Sequence, residues 1–231
     1  MTPAVFQESA GEPLLQAEDL RIEKGGNTIL SDVTFRIESG TFAALAGPSG
    51  SGKTSLLRVL ALLDDPAAGA VKLWQREFSP ATVAQPAAAA RVYPRLNYVP
   101  QMLGLWPHLT IRENLTFSLS NHSQPRISLE ELCAQLDITR ILDRRPGSAS
   151  QGQRQRAALA RALLLDPQVL LLDEVTAALD RALAAIVWTL LQSFVERGGV
   201  ILASTHDAYL AERCNRLYRI SEGCLRMERT Q

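Results

Sequence analysis

The stretch Gly47-Pro48-Ser49-Gly50-Ser51-Gly52-Lys53-Thr54 decides how this chain is read. It matches G-x-x-x-x-G-K-[ST], the pattern of a loop that cradles phosphates. Phe42-Ala43-Ala44-Leu45-Ala46 precedes it, a short apolar run that reads as a buried strand. After it, Leu56, Leu57, Leu60 and Leu63 recur at helical spacing. Strand, glycine-rich turn and helix are the arrangement that phosphate binding needs. The glycines let backbone N–H groups curl around a phosphate, and the helix N-terminus adds partial positive charge. Gly47 to Ser55 are therefore the expected nucleotide-binding residues. Lys53 is expected to reach the β- and γ-phosphates, and the Thr54 hydroxyl to bind Mg²⁺.

Farther along, Val169-Leu170-Leu171-Leu172 is a continuous apolar run ending in Asp173-Glu174. Such a run predicts a central parallel strand buried on both faces. Acids at its end, downstream of a phosphate loop, fit a Walker B element. Asp173 is expected to hold Mg²⁺, and Glu174 to polarise the attacking water. Arg181 to Arg197 predicts a helix, and Val200–Ala203 another apolar strand, followed by Ser204-Thr205-His206-Asp207. Strand alternating with helix predicts an α/β fold with a mainly parallel sheet flanked by helices.

The amino-terminal part is different. Leu14–Ile22, a turn at Gly25-Gly26-Asn27, then Thr28–Leu30 and Val33–Ile37 predict an antiparallel β-subdomain. Residues 1–13 are read as a loose lead-in, and residues 14–231 as one domain. The region of about 102–163 turns polar and helical, which predicts a helical insertion. Within it Leu129–Leu136 is amphipathic, and a helix is predicted from about Gln153 to Leu165, stopped by Asp166-Pro167. Residues 217–228 are expected to close the fold as a hairpin.

Composition bounds the partners. The chain has 231 residues, 46% of them hydrophobic, with 24 basic and 24 acidic side chains. Balanced charge provides no electrostatic footprint for nucleic acid. Cys133, Cys214 and Cys224 lack C-x-x-C spacing and read as reduced thiols. No apolar run approaches the ~18 residues of a membrane span, and no secretion signal is visible.

Ala149-Ser150-Gln151-Gly152-Gln153-Arg154-Gln155-Arg156 and the helix after it resemble the LSGGQRQR signature of ABC ATPases. With the P-loop and the Asp173-Glu174 pair, Ala178-Leu179-Asp180 resembles that family's D-loop. Gln101 lies where the family has its Q-loop and His206 where it has its switch histidine. The order and spacing agree from about Leu14 to Met227. The resemblance implies ATP and Mg²⁺ as cofactors and a head-to-tail homodimer that sandwiches two ATP molecules. In that dimer Ser150, Gln151, Gly152 and Gln153 would contact the γ-phosphate in trans. His206 would contact the γ-phosphate, Gln101 would touch Mg²⁺ and the lytic water, and Asp180 would be the acid of the D-loop.

The chain departs from the family pattern at Ala149 and Gln151, where the signature has leucine and glycine. No aromatic falls where the family stacks the base, near Lys24; only Ile22 and the stems of Arg21 and Lys24 are expected there. With no fused membrane segment and no second nucleotide domain, the resemblance points to the ATPase subunit of a transporter docked on a separate membrane permease. It would then be cytoplasmic, peripheral on the inner face of the membrane. Leu103 to Leu115, with Leu105 and Trp106 expected to be exposed, resembles the segment that borders the permease-docking groove. The alternative reading is a soluble ABC ATPase of a cytosolic assembly machine such as an iron–sulfur scaffold.

Overall fold

The computed structural model describes residues 13–83, 88–119, 126–175, 181–205 and 208–230. Strand β1 (Pro13–Lys24) turns into β2 (Asn27–Glu38) through Gly25 and Gly26. Both glycines have positive φ, 58° and 80°, as a two-residue turn matched to strand twist requires. Strand β3 (Phe42–Ala46) then leads into helix α1 (Lys53–Leu60). Strands β4 (Ala68–Leu73) and β5 (Arg76–Phe78), short helices α2 (Pro80–Val83) and α3 (Ala88–Val92), and strand β6 (Leu96–Val99) follow. Helices α4 (Ile111–Leu119), α5 (Leu129–Gln135) and α6 (Gln151–Leu163) occupy the polar helical stretch. The rest alternates β7 (Val169–Asp173), α7 (Arg181–Glu196), β8 (Val200–Ser204) and α8 (Ala208–Arg213), then closes with the hairpin β9 (Arg216–Ser221) and β10 (Cys224–Thr230).

Among the described residues these strands form two sheets. The first is antiparallel, in the order β2-β1-β4-β5. The second has the order β10-β9-β3-β8-β7-β6 and is parallel except at β10. The fold is α/β, with an antiparallel β-subdomain at its amino end.

Three strands of the larger sheet are covered on both faces, and their alternation shows it. Leu45, Leu171 and Leu202 pack with α1 and the antiparallel sheet. Their neighbours Ala44, Leu170 and Ile201 pack with the helices on the other face. Continuous apolar runs are what such double burial selects.

Strand β1 takes in Pro13 and runs to Lys24, and two further boundaries differ from the sequence expectation for reasons visible in the structure. Thr28–Leu30 and Val33–Ile37 belong to one strand, because Ser31 and Asp32 form a bulge between them. Leu20 pairs with Val33 and Ile22 with Leu30, and Asp32 takes φ 53°. The bulge frees the Ser31 N–H to donate to the Gly223 carbonyl at 3.0 Å, tying one sheet to the other. Helix α6 begins at Gln151, two residues before the predicted start. Ser150 and Gln153 cap it reciprocally: the Gln153 N–H donates to Ser150 Oγ at 3.2 Å and the Ser150 N–H to Gln153 Oε1 at 2.9 Å.

Candidate functional site

Parallel strands end on the same side of their sheet, and ligands in open α/β folds bind at those carboxyl ends. The loop after β3, the last residues of β7 and β8, and Gln101 just beyond β6 therefore share one edge.

The loop itself is shaped by glycine. Gly50 has φ 79° and Gly52, the N-cap of α1, has φ 107°. A Cβ on Gly47 would stand 2.8 Å from both the Ile220 carbonyl oxygen and Ser51 Oγ. Pro48, Ser49 and Gly50 are exposed around the rim. No side chain caps α1, in contrast to α6, so its first N–H groups point into the loop. The Ser51 hydroxyl is buried with no hydrogen-bond partner among the described residues. An uncapped helix start beside an orphaned buried hydroxyl is a cradle for an anion. The Lys53 ammonium, largely buried, donates to the Gly47 carbonyl at 2.8 Å and the Pro48 carbonyl at 2.9 Å.

Asp173 lies 1% exposed at the end of β7. A buried carboxylate needs donors, and three hydroxyls supply them. Thr54 Oγ1 donates to Oδ2 at 2.8 Å and the Tyr98 phenol to the same oxygen at 3.3 Å. Ser204 Oγ donates to Oδ1 at 2.6 Å. Burial, and then the negative charge of Asp173, push the Tyr98 phenol well above its usual range. Tyr98 therefore keeps its proton and acts as a donor. Glu174 follows with φ 53°, a left-handed conformation uncommon outside glycine. Its backbone N–H donates to Ser204 O at 3.2 Å and to Ser204 Oγ at 3.1 Å. Its carboxylate accepts from the Gln101 amide at 2.9 Å.

The structure thus brings Lys53, Thr54, Gln101, Asp173 and Glu174 together. Ser150 to Gln153 stand apart from them at the start of α6. His206 and Asp180 lie outside the described residues. Tyr98 and Ser204 carry no motif and were not anticipated; finding them requires the strand order, which sets β6 and β8 on either side of β7. Ile22 is 3% exposed, which corrects the expectation that it meets a base. Arg21 is held by Glu23 at 2.6 Å and by Thr28 Oγ1 at 3.1 Å.

A second cluster lies beyond Gln101. The Arg161 guanidinium donates to the carbonyls of Leu103 at 2.9 Å and Gly104 at 2.7 Å, with the Trp106 ring centre 5.1 Å away. Burial lowers its pKa. Trp106 and Leu105 are half-buried rather than exposed as expected, because Trp106 packs edge-on against Phe117 at 5.1 Å. The exposed apolar side chains here are Met102 and Phe117.

A strand–loop–helix phosphate cradle facing a buried acid at the edge of a parallel sheet defines a P-loop nucleotide-binding domain. A family model described as ABC transporter matches residues 30–177. The chain belongs to this family as an ATP-binding subunit, and its enzymatic activity is ATP hydrolysis. The arginine transport ATP-binding protein ArtP of Haemophilus influenzae is 35% identical over 205 residues, covering 86% of this chain and 84% of that protein. The uncharacterized ABC transporter ATP-binding protein YvcR of Bacillus subtilis is 37% identical over 199 residues, covering 84% of this chain and 76% of that one. A dimeric cassette solved in a post-hydrolysis state with ADP and Pi covers 94% of this chain and 99% of its own, with TM-score 0.82 and 27% identity. These relatives do not favour the assembly-machine alternative.

Removing the Lys53 ammonium would deprive bound phosphates of charge-assisted hydrogen bonds. Lys53→Ala is expected to weaken ATP binding about ten- to a hundredfold. Titration with a fluorescent ATP analogue checks this, and unchanged affinity would detach Lys53 from the phosphates.

Proposed function

We propose that this chain is the motor subunit of a transporter whose membrane-spanning part is a separate permease, and that ATP closes it into a head-to-tail homodimer. The observation that carries the catalytic half is the Gln101–Glu174 hydrogen bond beside the Thr54–Asp173 pair. Together they set a candidate base and a candidate metal site at one strand edge.

The residues divide the work. Gly47 to Ser55 wrap the phosphates, with Lys53 exchanging its loop carbonyls for β- and γ-phosphate oxygens. Thr54, Gln101 and Asp173 would hold Mg²⁺. Their oxygens are the hard donors that this ion takes, and the Thr54 hydroxyl donates its hydrogen bond to Asp173, leaving its lone pairs for a cation. When bound, the ion supplies positive charge opposite the phosphate oxygens. Glu174 accepts a proton from water, oriented by the Gln101 amide. His206 and Asp180 keep their roles by resemblance alone.

At α6 the Ser150 hydroxyl accepts the Gln153 N–H. Its own proton is left to donate to an anion, which supports a trans contact by Ser150, Gln151, Gly152 and Gln153. The dimeric state of related cassettes supports the same arrangement.

No helix among the described residues is long and apolar enough to cross a membrane. The transporter relatives support a separate permease as the partner, which would hold the chain at the inner face of the membrane, in the cytoplasm. Phe117, 62% exposed, lines a cavity of about 410 Å³ together with Tyr93, Trp106 and Arg161, and Met102, 89% exposed, lies in the segment between Gln101 and Leu103. An aromatic-lined pocket of this kind suits an inserted helix. The balanced charge of the chain, 24 basic against 24 acidic residues, supports a partner other than nucleic acid.

Glu174→Gln is expected to lower kcat by at least about a hundredfold while retaining ATP binding. Size-exclusion chromatography with ATP should show a trapped dimer. Turnover at the wild-type rate would remove Glu174 from its role. Met102→Asp, a surface change of little consequence for stability, is expected to reduce the share of the protein recovered with membranes on cell fractionation. An unchanged share would move the docking surface elsewhere. Base recognition should be loose, since Ile22 is buried and Arg21 is engaged. ATP is expected to outbind GTP by less than about tenfold, the scale of one aromatic stack. Competition titration measures this, and a larger preference would point to a base platform beyond these residues.

A further inference from the structure

We propose that Ser204, assisted by Tyr98, is a positioning residue that sets the Asp173 carboxylate for Mg²⁺ binding. The inference rests on the reading of Asp173 as a holder of that ion. Neither residue belongs to a nucleotide-binding motif, and both act through Asp173 rather than on the reacting atoms.

The geometry begins with register. In the parallel ladder Asp173 stands opposite Ser204. Ser204 is 2% exposed, and its hydroxyl is used in both directions. It donates to Asp173 Oδ1 at 2.6 Å and accepts the Glu174 N–H at 3.1 Å. One small side chain thereby holds the carboxylate of the first acid and the backbone of the second. With Oδ1 engaged, Oδ2 is the oxygen turned toward Thr54. The Tyr98 phenol reaches that same oxygen from β6, on the opposite side of β7 from β8, through a longer bond of 3.3 Å.

The carboxylate is therefore clamped from both neighbouring strands. A merely structural acid would need donors but no fixed orientation. Here the orientation presents one oxygen, with its negative charge, to the hydroxyl at the start of α1. Alanine at position 204 would release Oδ1. The Glu174 N–H would still have the Ser204 carbonyl, 3.2 Å away, so the backbone turn keeps a hydrogen bond.

The test uses the full chain and a fluorescent, non-hydrolysable ATP analogue, titrated with Mg²⁺ and compared with binding in EDTA. Ser204→Ala is expected to raise the Mg²⁺ concentration at half-saturation about tenfold, the scale seen when a partner behind a metal ligand is lost, and to leave affinity in EDTA unchanged. Ser204→Thr keeps the hydroxyl and should restore Mg²⁺ dependence. Tyr98→Phe should produce a smaller rise, in keeping with its longer bond. Should Ser204→Ala not fold, Tyr98→Phe decides the matter in the same way. An unmoved Mg²⁺ midpoint overturns the inference, as does an equal loss of affinity in EDTA. Asp173→Asn separates the two levels. If it leaves the midpoint unmoved, the Mg²⁺ reading of Asp173 fails. If it shifts the midpoint while Ser204→Ala does not, only the role of Ser204 fails.

Discussion

A carboxylate buried at the end of a central strand is the constraint on which the rest of this structure turns. Asp173 is almost inaccessible to water, and a carboxylate so placed is tolerated only when its oxygens are hydrogen-bonded. Its donors come from three elements that are far apart in sequence: Thr54 on α1, Tyr98 on β6 and Ser204 on β8. They meet only if β6, β7 and β8 are adjacent and parallel and α1 packs over β7. The order of the larger sheet satisfies that condition. Fold and site are thus one requirement here.

The two helix starts that matter are prepared differently. Helix α1 begins at Gly52 without a side-chain cap, while α6 begins at Ser150 with a complete capping box. An uncapped start leaves its N–H groups in need of an external acceptor, and at α1 the adjacent buried Ser51 hydroxyl has the same need. A phosphate answers both. At α6 the cap uses the Gln153 N–H and side chain but leaves the Ser150 hydroxyl proton. That fits a site completed by another molecule rather than one filled within the chain.

Helix α6 also reaches the segment beyond Gln101. It starts at Ser150 and, toward its other end, Arg161 grips the carbonyls of Leu103 and Gly104 beneath Trp106. Arg161 is half-buried, and its two hydrogen bonds to those carbonyls are charge-assisted. One rigid helix therefore connects the proposed trans contact to the segment beside the proposed docking cavity. In the proposed dimer this helix would link ATP-driven closure to the membrane partner.

Much of this was legible in the residues alone. The phosphate loop is a local motif whose glycines are demanded by backbone geometry within eight residues. The buried strand ending in Asp173-Glu174 shows as an unbroken apolar run, because both its faces are covered. Other features were not legible. Ser31 and Asp32 are a bulge, which only the pairing of β1 with β2 reveals. Trp106 is drawn inward by Phe117 and Arg161, contacts that helical spacing does not encode. Ser204 follows an apolar run and Tyr98 precedes Gln101, and nothing in either neighbourhood along the chain marks a donor to Asp173. By itself the sequence determined the phosphate cradle, the acids and the α/β class, since these depend on neighbours along the chain. The tertiary structure alone decided which hydroxyls hold Asp173, because strand order brings together residues more than thirty and seventy positions apart.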